Sequence, residues 1–191
     1  MTEKVIINGI YETSKMRVEI TDTQVIKTFK QSSHSKKRYL REKSSLQMLS
    51  GKSGFPELIS TNDDIKQIVM SKLPGTRPES LSAVQALQLR TLVDSMLLSG
   101  IARHAIPIRD LIVDDNGTLH MVDFERVSIK SFASTPFWYV AKWVSLYHLI
   151  RLINQFQPDS LTVKEKKLLN IANAIRNVLQ KLKPLRDKIF K

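Results

Sequence analysis

There is no cysteine in this chain. Structural disulfides, thiolate metal sites and cysteine nucleophiles are therefore excluded. No stretch approaches the ~18 uninterrupted apolar residues of a membrane-spanning helix. Met1 to Ile10 contains no apolar core of signal-peptide length. The expectation is a cytoplasmic protein, soluble or peripheral to a membrane. Acidic residues are also in short supply: 18 against 30 lysines and arginines, a net charge of +12. Such a field attracts polyanions, from nucleotides to nucleic acid and anionic lipid. Glycine is scarce, with six in 191 residues. Neither an internal repeat nor a low-complexity linker is visible. The length suits one compact domain, or two small lobes sharing a cleft.

Short strands are expected at Val5 to Ile7, Arg17 to Ile20 and Gln24 to Phe29, separated by Asn8-Gly9 and Thr21-Asp22 turns. Lys36 to Leu49 reads as a helix, with Tyr39, Leu40, Leu46 and Leu49 apolar and Gly51 ending it. Two further strands follow, Phe55 to Ile59 and Ile65 to Met70. Pro74-Gly75 is a break, and divides the chain into a first unit, 1–75, and a second, 76–191. The second unit is mostly helical. Ser80 or Ser82 caps a helix to Leu98. A tight hairpin joins Leu111–Val113 to Thr118–Val122 around Asp114-Asp115-Asn116-Gly117. Helices at Pro136 to Phe156 and Leu161 to Lys183 complete the chain, the latter with a Thr162/Glu165 capping box.

Four segments carry residue types suited to phosphate and metal chemistry. Val25-Ile26-Lys27-Thr28-Phe29 places a lysine in an apolar strand. Arg41-Glu42 lies in the helix that follows. Ile68 to Gly75 runs from an apolar strand into a short polar link through Met70, Ser71 and Leu73. Gly100 to Glu125 holds Arg103-His104-Ala105, Asp110 and the tripeptide Asp123-Phe124-Glu125. Asp110 precedes Asp123 by thirteen residues. In order and spacing, these segments resemble the protein-kinase-like fold. The third-strand lysine, the helix glutamate and the catalytic loop before a D-F-G-like tripeptide are its recurring parts. The D-F-E form and the Arg38 to Glu42 and Phe55 to Leu58 segments are more similar to bacterial lipopolysaccharide core (heptose and Kdo) kinases than to protein kinases. The stretch after Glu125 is short, and contains no A-P-E motif.

The resemblance implies an α+β, protein-kinase-like bilobal fold. Its N-lobe would be a small antiparallel sheet with one helix, and its C-lobe minimal and helical. It further implies an ATP-dependent phosphotransferase using Mg²⁺, acting on a hydroxyl of a sugar, a lipopolysaccharide core or a similar small acceptor. Lys27 and Glu42 would hold phosphates, and Met70, Ser71 and Leu73 the adenine. Asp110 and Asp123 would bind the metal. His104 or Asp110 would align the acceptor. The partners expected are a small-molecule or glycolipid acceptor and peripheral contact with an anionic inner membrane, but no nucleic acid. Two departures favour a pseudokinase as the alternative. Ala105 stands where the catalytic aspartate belongs. The phosphate-covering turn after Gly9 is not glycine-rich, leaving Ser14 or Lys15 to touch phosphate. The aromatic helix with Trp138, Tyr139, Trp143 and Tyr147 reads chiefly as core, and secondarily as a membrane-interface element. The last helix is expected to bury Leu168, Ile171, Ala172, Ile175, Val178, Leu179 and Leu182, and to present Lys164, Lys166, Lys167, Arg176, Lys181 and Lys183 to an anionic surface.

Overall fold

Alternation along Gln24 to Phe29 sends Val25, Lys27 and Phe29 to one side of a strand, with Lys27 and Phe29 buried. This strand, β3, is central in a five-stranded antiparallel sheet. The computed structural model describes residues 9–131 and 135–189; the strand expected at Val5 to Ile7 lies outside them. The sheet comprises β1 (Ile10–Glu12), β2 (Met16–Ile20), β3 (Gln24–Phe29), β4 (Leu58–Asn62) and β5 (Gln67–Ser71), in the order β1-β2-β3-β5-β4. Register pairs Lys27 with Val18 on one side and with Ile68 on the other.

Helix α1 (Ser35–Leu49) packs on β3, β4 and β5. Its buried stripe runs Tyr39, Glu42, Leu46, Leu49, at helical spacing. A carboxylate therefore occupies an inward position between apolar neighbours. It needs a partner there, because a lone buried charge is strongly disfavoured.

The strand read from Phe55 begins only at Leu58, since Phe55 packs edge-on against Phe124 at 5.9 Å between ring centroids. The link out of the sheet is joined to the second half of the chain. Thr76 exchanges backbone hydrogen bonds with Val113, at 3.0 and 2.8 Å. Gly75, with φ +98°, makes that contact achievable: a Cβ there would lie 2.0 Å from the Val113 carbonyl oxygen.

Helix α2 (Ala83–Leu98) starts at a Ser82/Gln85 capping box and buries Leu89, Leu92, Val93 and Met96. Three short pieces follow: β6 (Ile101–Arg103), β7 (Leu111–Val113) and β8 (Leu119–Met121). The turn between β7 and β8 is closed by Asp114 Oδ1, which accepts from the amides of Asn116 (2.9 Å) and Thr118 (2.7 Å). β9 (Val127–Ile129) pairs with β6. Helix α3 (Thr135–Phe156) packs against α2, β6 and helix α4 (Val163–Ile189). The Thr162/Glu165 box forms, and Arg90 of α2 pairs with Glu165.

The helical faces divide differently from the sequence reading. On α4, Leu169 and Ala172 are buried, while Ile171 and Ile175 are about half exposed. Helix α4 packs chiefly on α3, with Leu168 also partly buried, which leaves Ile171 and Ile175 on its outer side. On α3, Trp138 and Tyr147 are core, but Tyr139 and Trp143 face outward. Val178, Leu179, Lys181, Leu182 and Lys183 have side chains outside the described set.

Candidate active site

The inward faces of β3 and α1 meet at Lys27 and Glu42. Lys27 Nζ donates to Glu42 Oε1 at 2.6 Å and Oε2 at 2.9 Å. It also donates to Asp123 Oδ1 at 3.1 Å. Lys27 and Glu42 are buried, whereas Asp123 is about one-third exposed. Burial alone would lower the lysine's pKa, but the carboxylates of Asp123 and Glu42 outweigh it and the net shift is upward. Lys27 is a permanent cation here. Burial pushes the Glu42 carboxyl up to about 7, with Lys27 opposing and Asp123 and Glu125 adding to the rise. Glu125 is itself buried.

Asp123 follows β8 with φ +71°, a left-handed conformation uncommon outside glycine. Such backbone is held in place by its surroundings and concentrates at functional sites. The surroundings are identifiable. Phe124, next in sequence, is fully buried. On the other side, the Val122 amide donates to the Asp110 carbonyl at 2.9 Å. Asp110 ends a short 3₁₀ turn, Ile108–Asp110. Burial and the nearby Asp123 move its carboxyl upward, against the pull of Arg103 and Arg109.

Arg103 joins these parts. Its buried guanidinium donates to the Ala105 carbonyl (3.1 Å), to the Val122 carbonyl (2.8 Å) and to Asp110 Oδ2. It also lies over the Phe124 ring, 5.4 Å from the centroid. Its backbone is clamped in turn by Ser145 of α3, which accepts from the Arg103 amide at 2.7 Å and donates to its carbonyl at 3.0 Å. Sequence reasoning passed over Arg103. The signal available was a lone charge inside Gly100-Ile-Ala-Arg-His, in a strand whose three residues are all buried.

The remaining sequence candidates are distributed as follows. Met70 is buried at the end of β5. The Ser71 amide donates to the Glu57 carbonyl (2.9 Å), and the Ser71 hydroxyl accepts from the Glu57 amide (2.8 Å), so both are committed within the protein. Leu73 is half-buried two residues on. His104 is not brought to the cluster. Its Nε2 lies 2.9 Å from Ser128 Oγ, and its pKa is lowered by burial and by Arg41, Arg126 and Lys37. In the β1–β2 turn, Thr13 Oγ1 accepts from the amides of Lys15 (3.2 Å) and Met16 (3.1 Å). Gly9 lies at the far end of β1, away from that turn.

Among the described residues, no group of three or more His, Cys, Asp or Glu side chains forms a ready-made metal cage. The carboxylates of Asp110 and Asp123 are hard oxygen donors whose charges influence one another. Mg²⁺ is usually held by one or two carboxylates plus substrate phosphates rather than by an all-protein cage. The donor set fits that ion.

No family profile matches the sequence, and no curated protein matches it. Solved structures do match in fold. A co-crystal structure of WbdD with the kinase inhibitor LY294002 is 18% identical with a TM-score of 0.53, over 82% of this chain and 41% of that one. A second WbdD crystal structure is 15% identical with a TM-score of 0.51, over 87% and 46%. A third, of the bifunctional kinase-methyltransferase WbdD, gives 15% and 0.49. The chain spans less than half the length of these neighbours. At such identity the likeness concerns the fold, which is α+β and kinase-like.

Proposed function

We propose that this chain is an ATP-dependent, Mg²⁺-using phosphotransferase to an alcohol group, with a sugar hydroxyl of a lipopolysaccharide core or similar glycan as acceptor. One observation carries the reading: Lys27, Glu42 and Asp123 converge through a single ammonium, although 96 residues separate Lys27 from Asp123. Phosphoryl transfer asks a protein for held phosphates, a placed metal and an aligned acceptor, and for little covalent chemistry. Lys27, fixed in its charged form by two carboxylates, is suited to the phosphates. Asp123 and Asp110 would hold Mg²⁺, whose charge neutralises the transferring group when bound. Arg103 holds the Asp110 carboxylate directly and the Val122 carbonyl just before Asp123. With His104 bonded to Ser128, Asp110 is the group we assign to the acceptor hydroxyl. The acceptor class rests on the resemblance of the Asp123-Phe124-Glu125, Arg38 to Glu42 and Phe55 to Leu58 segments to lipopolysaccharide core kinases.

A second reading is a nucleotide-binding pseudokinase. Ala105 favours it, because a methyl group cannot orient or deprotonate a hydroxyl. Thr13 favours it too, because its hydroxyl already occupies two amides of the turn that would cover the phosphates.

Transfer of the γ-phosphate from radiolabelled ATP to lipopolysaccharide core preparations tests both readings, with wild type and Asp123→Asn. The first predicts Mg²⁺-dependent labelling that falls roughly 100-fold or more in the variant. Nucleotide binding without labelling of any acceptor would support the second instead.

A further inference from the structure

The first three turns of α3 have an apolar outer face. Phe137, Tyr139, Val140 and Trp143 are 78, 67, 62 and 37% exposed. At helical periodicity these four form one continuous arc, opposite the buried Trp138, Ala141 and Ser145. Single exposed apolar residues are ordinary. A contiguous group with three aromatic rings marks a contact surface. The arc is also firmly mounted. Trp143 stacks on Tyr147, 6.2 Å between centroids and 10° from parallel, and the Tyr147 hydroxyl bonds Asn173 of α4 at 3.1 Å. Along α4, Ile171 and Ile175 add further exposed apolar surface.

Charge identifies what covers it. From Arg126 to the last residue there are thirteen lysines and arginines against three acids, so this third of the chain supplies most of the net charge. Helix α3 carries no Asp or Glu at all. Lys142 on α3 and Lys164, Lys166, Lys167 and Arg176 on α4 are exposed. A second copy of this chain would bring like charges together, which opposes self-association. A nucleic acid would satisfy the cations but not Phe137 and Val140, which need an apolar phase. A bilayer with anionic headgroups satisfies both, since tryptophan and tyrosine favour its interface and basic residues its surface. Among the described residues no helix is long and apolar enough to cross a membrane, so the mode is docking on the surface.

We propose that the outer face of α3, Phe137, Tyr139, Val140 and Trp143, with the cations of α3 and α4, is a docking surface for anionic membrane. The inference is independent of the phosphotransfer reading: it uses no residue of the Lys27–Asp123 cluster, and a catalytically dead protein would still bind.

The test is co-sedimentation of the full chain with phosphatidylcholine vesicles, with and without phosphatidylglycerol, alongside tryptophan emission. The expected result is binding that requires phosphatidylglycerol and weakens with salt. Trp143 emission should shift to the blue, and Trp143→Phe should remove the shift, since Trp138 is already buried. Phe137→Ser with Val140→Ser should lower partitioning at least tenfold while leaving the melting temperature unchanged, because both side chains are exposed. The proposal is overturned by absence of vesicle binding, or by equal partitioning of the double variant. Binding that follows any polyanion, such as heparin or RNA, without an emission shift would overturn it as well. So would a blue shift that appears on self-association without lipid, read by light scattering.

Discussion

Lys27 Nζ and Asp123 Oδ1 stand 3.1 Å apart, joining the central strand of the sheet to the turn after β8. The same ammonium holds both oxygens of Glu42. Removing it leaves two carboxylates facing each other. Lys27→Met should therefore abolish measurable nucleotide binding. Its cost in stability should be smaller than the ~3–5 kcal/mol typical of a stranded buried charge, because Glu42 can take up a proton. Denaturant unfolding of the variant at neutral pH measures this. A loss at or above that range would mean Glu42 stays ionised without its partner.

Arg103 is predicted to be a positioning residue. Arg103→Gln removes the contact to Asp110 and the cation over Phe124, while it can keep one carbonyl bond. The expected result is a rise in the Mg²⁺ concentration needed for ATP binding, with Mg²⁺-free nucleotide affinity little changed. Arg103→Lys should not restore it, since an ammonium cannot reproduce a planar fork. An unchanged Mg²⁺ requirement in Arg103→Gln would restrict Arg103 to a packing role.

The protonation of Glu42 gives a pH prediction. Its ordinary pKa is 4.5, and burial raises it to about 7 in the folded protein. Between those values the folded protein keeps a proton that the unfolded chain has released. That favours folding at the acid end, and the contribution declines as pH rises from 4.5 to 7. Glu42→Gln has no such proton to lose. The melting temperature of wild type minus that of Glu42→Gln should fall across this window, measured by scanning calorimetry at matched ionic strength. A flat difference would mean the carboxyl titrates normally.

Gly75→Ala should destabilise the connection between the two halves. The new methyl would meet the Val113 carbonyl at 2.0 Å with φ at +98°. Relief requires breaking the Thr76–Val113 pair, so a cost of about 1–3 kcal/mol is expected. Chemical denaturation checks it, and Gly51→Ala is the control, with open space around the same left-handed backbone.

The Lys27–Glu42–Asp123 cluster was legible through its resemblance, in order and spacing, to the kinase-like fold, and the folded chain shows the inward positions that bring it together. Lys27 shares its side of β3 with Phe29, and Glu42 shares its side of α1 with Leu46 and Leu49. A charge at such a position predicts its own partner. The α+β division could be read from period-2 and period-3.6 patterns in the longer elements, whereas the kinase-like architecture came from the order and spacing of the Lys27, Glu42 and Asp123-Phe124-Glu125 segments. What escaped was short or long-range. β1, β6 and β9 have three residues each, too few to show any period. The role of Arg103 depends on Val122, Asp110 and Ser145, which only the folded chain brings near it. The Ser71 amide looked free as a strand end, but Glu57 claims it across a β-bulge region that no local pattern announces. The exposed face of α3 was only half legible: six aromatics in one helix read chiefly as core, and which of them face outward depends on how α2 and α4 pack on it.

Calorimetric titration of ATP, with and without Mg²⁺, into wild type and Lys27→Ala tests the central claim most directly. Binding that requires Mg²⁺ and disappears in the variant is the predicted result. No heat up to millimolar ATP, or equal binding by both proteins, would contradict a nucleotide site at Lys27, Glu42 and Asp123.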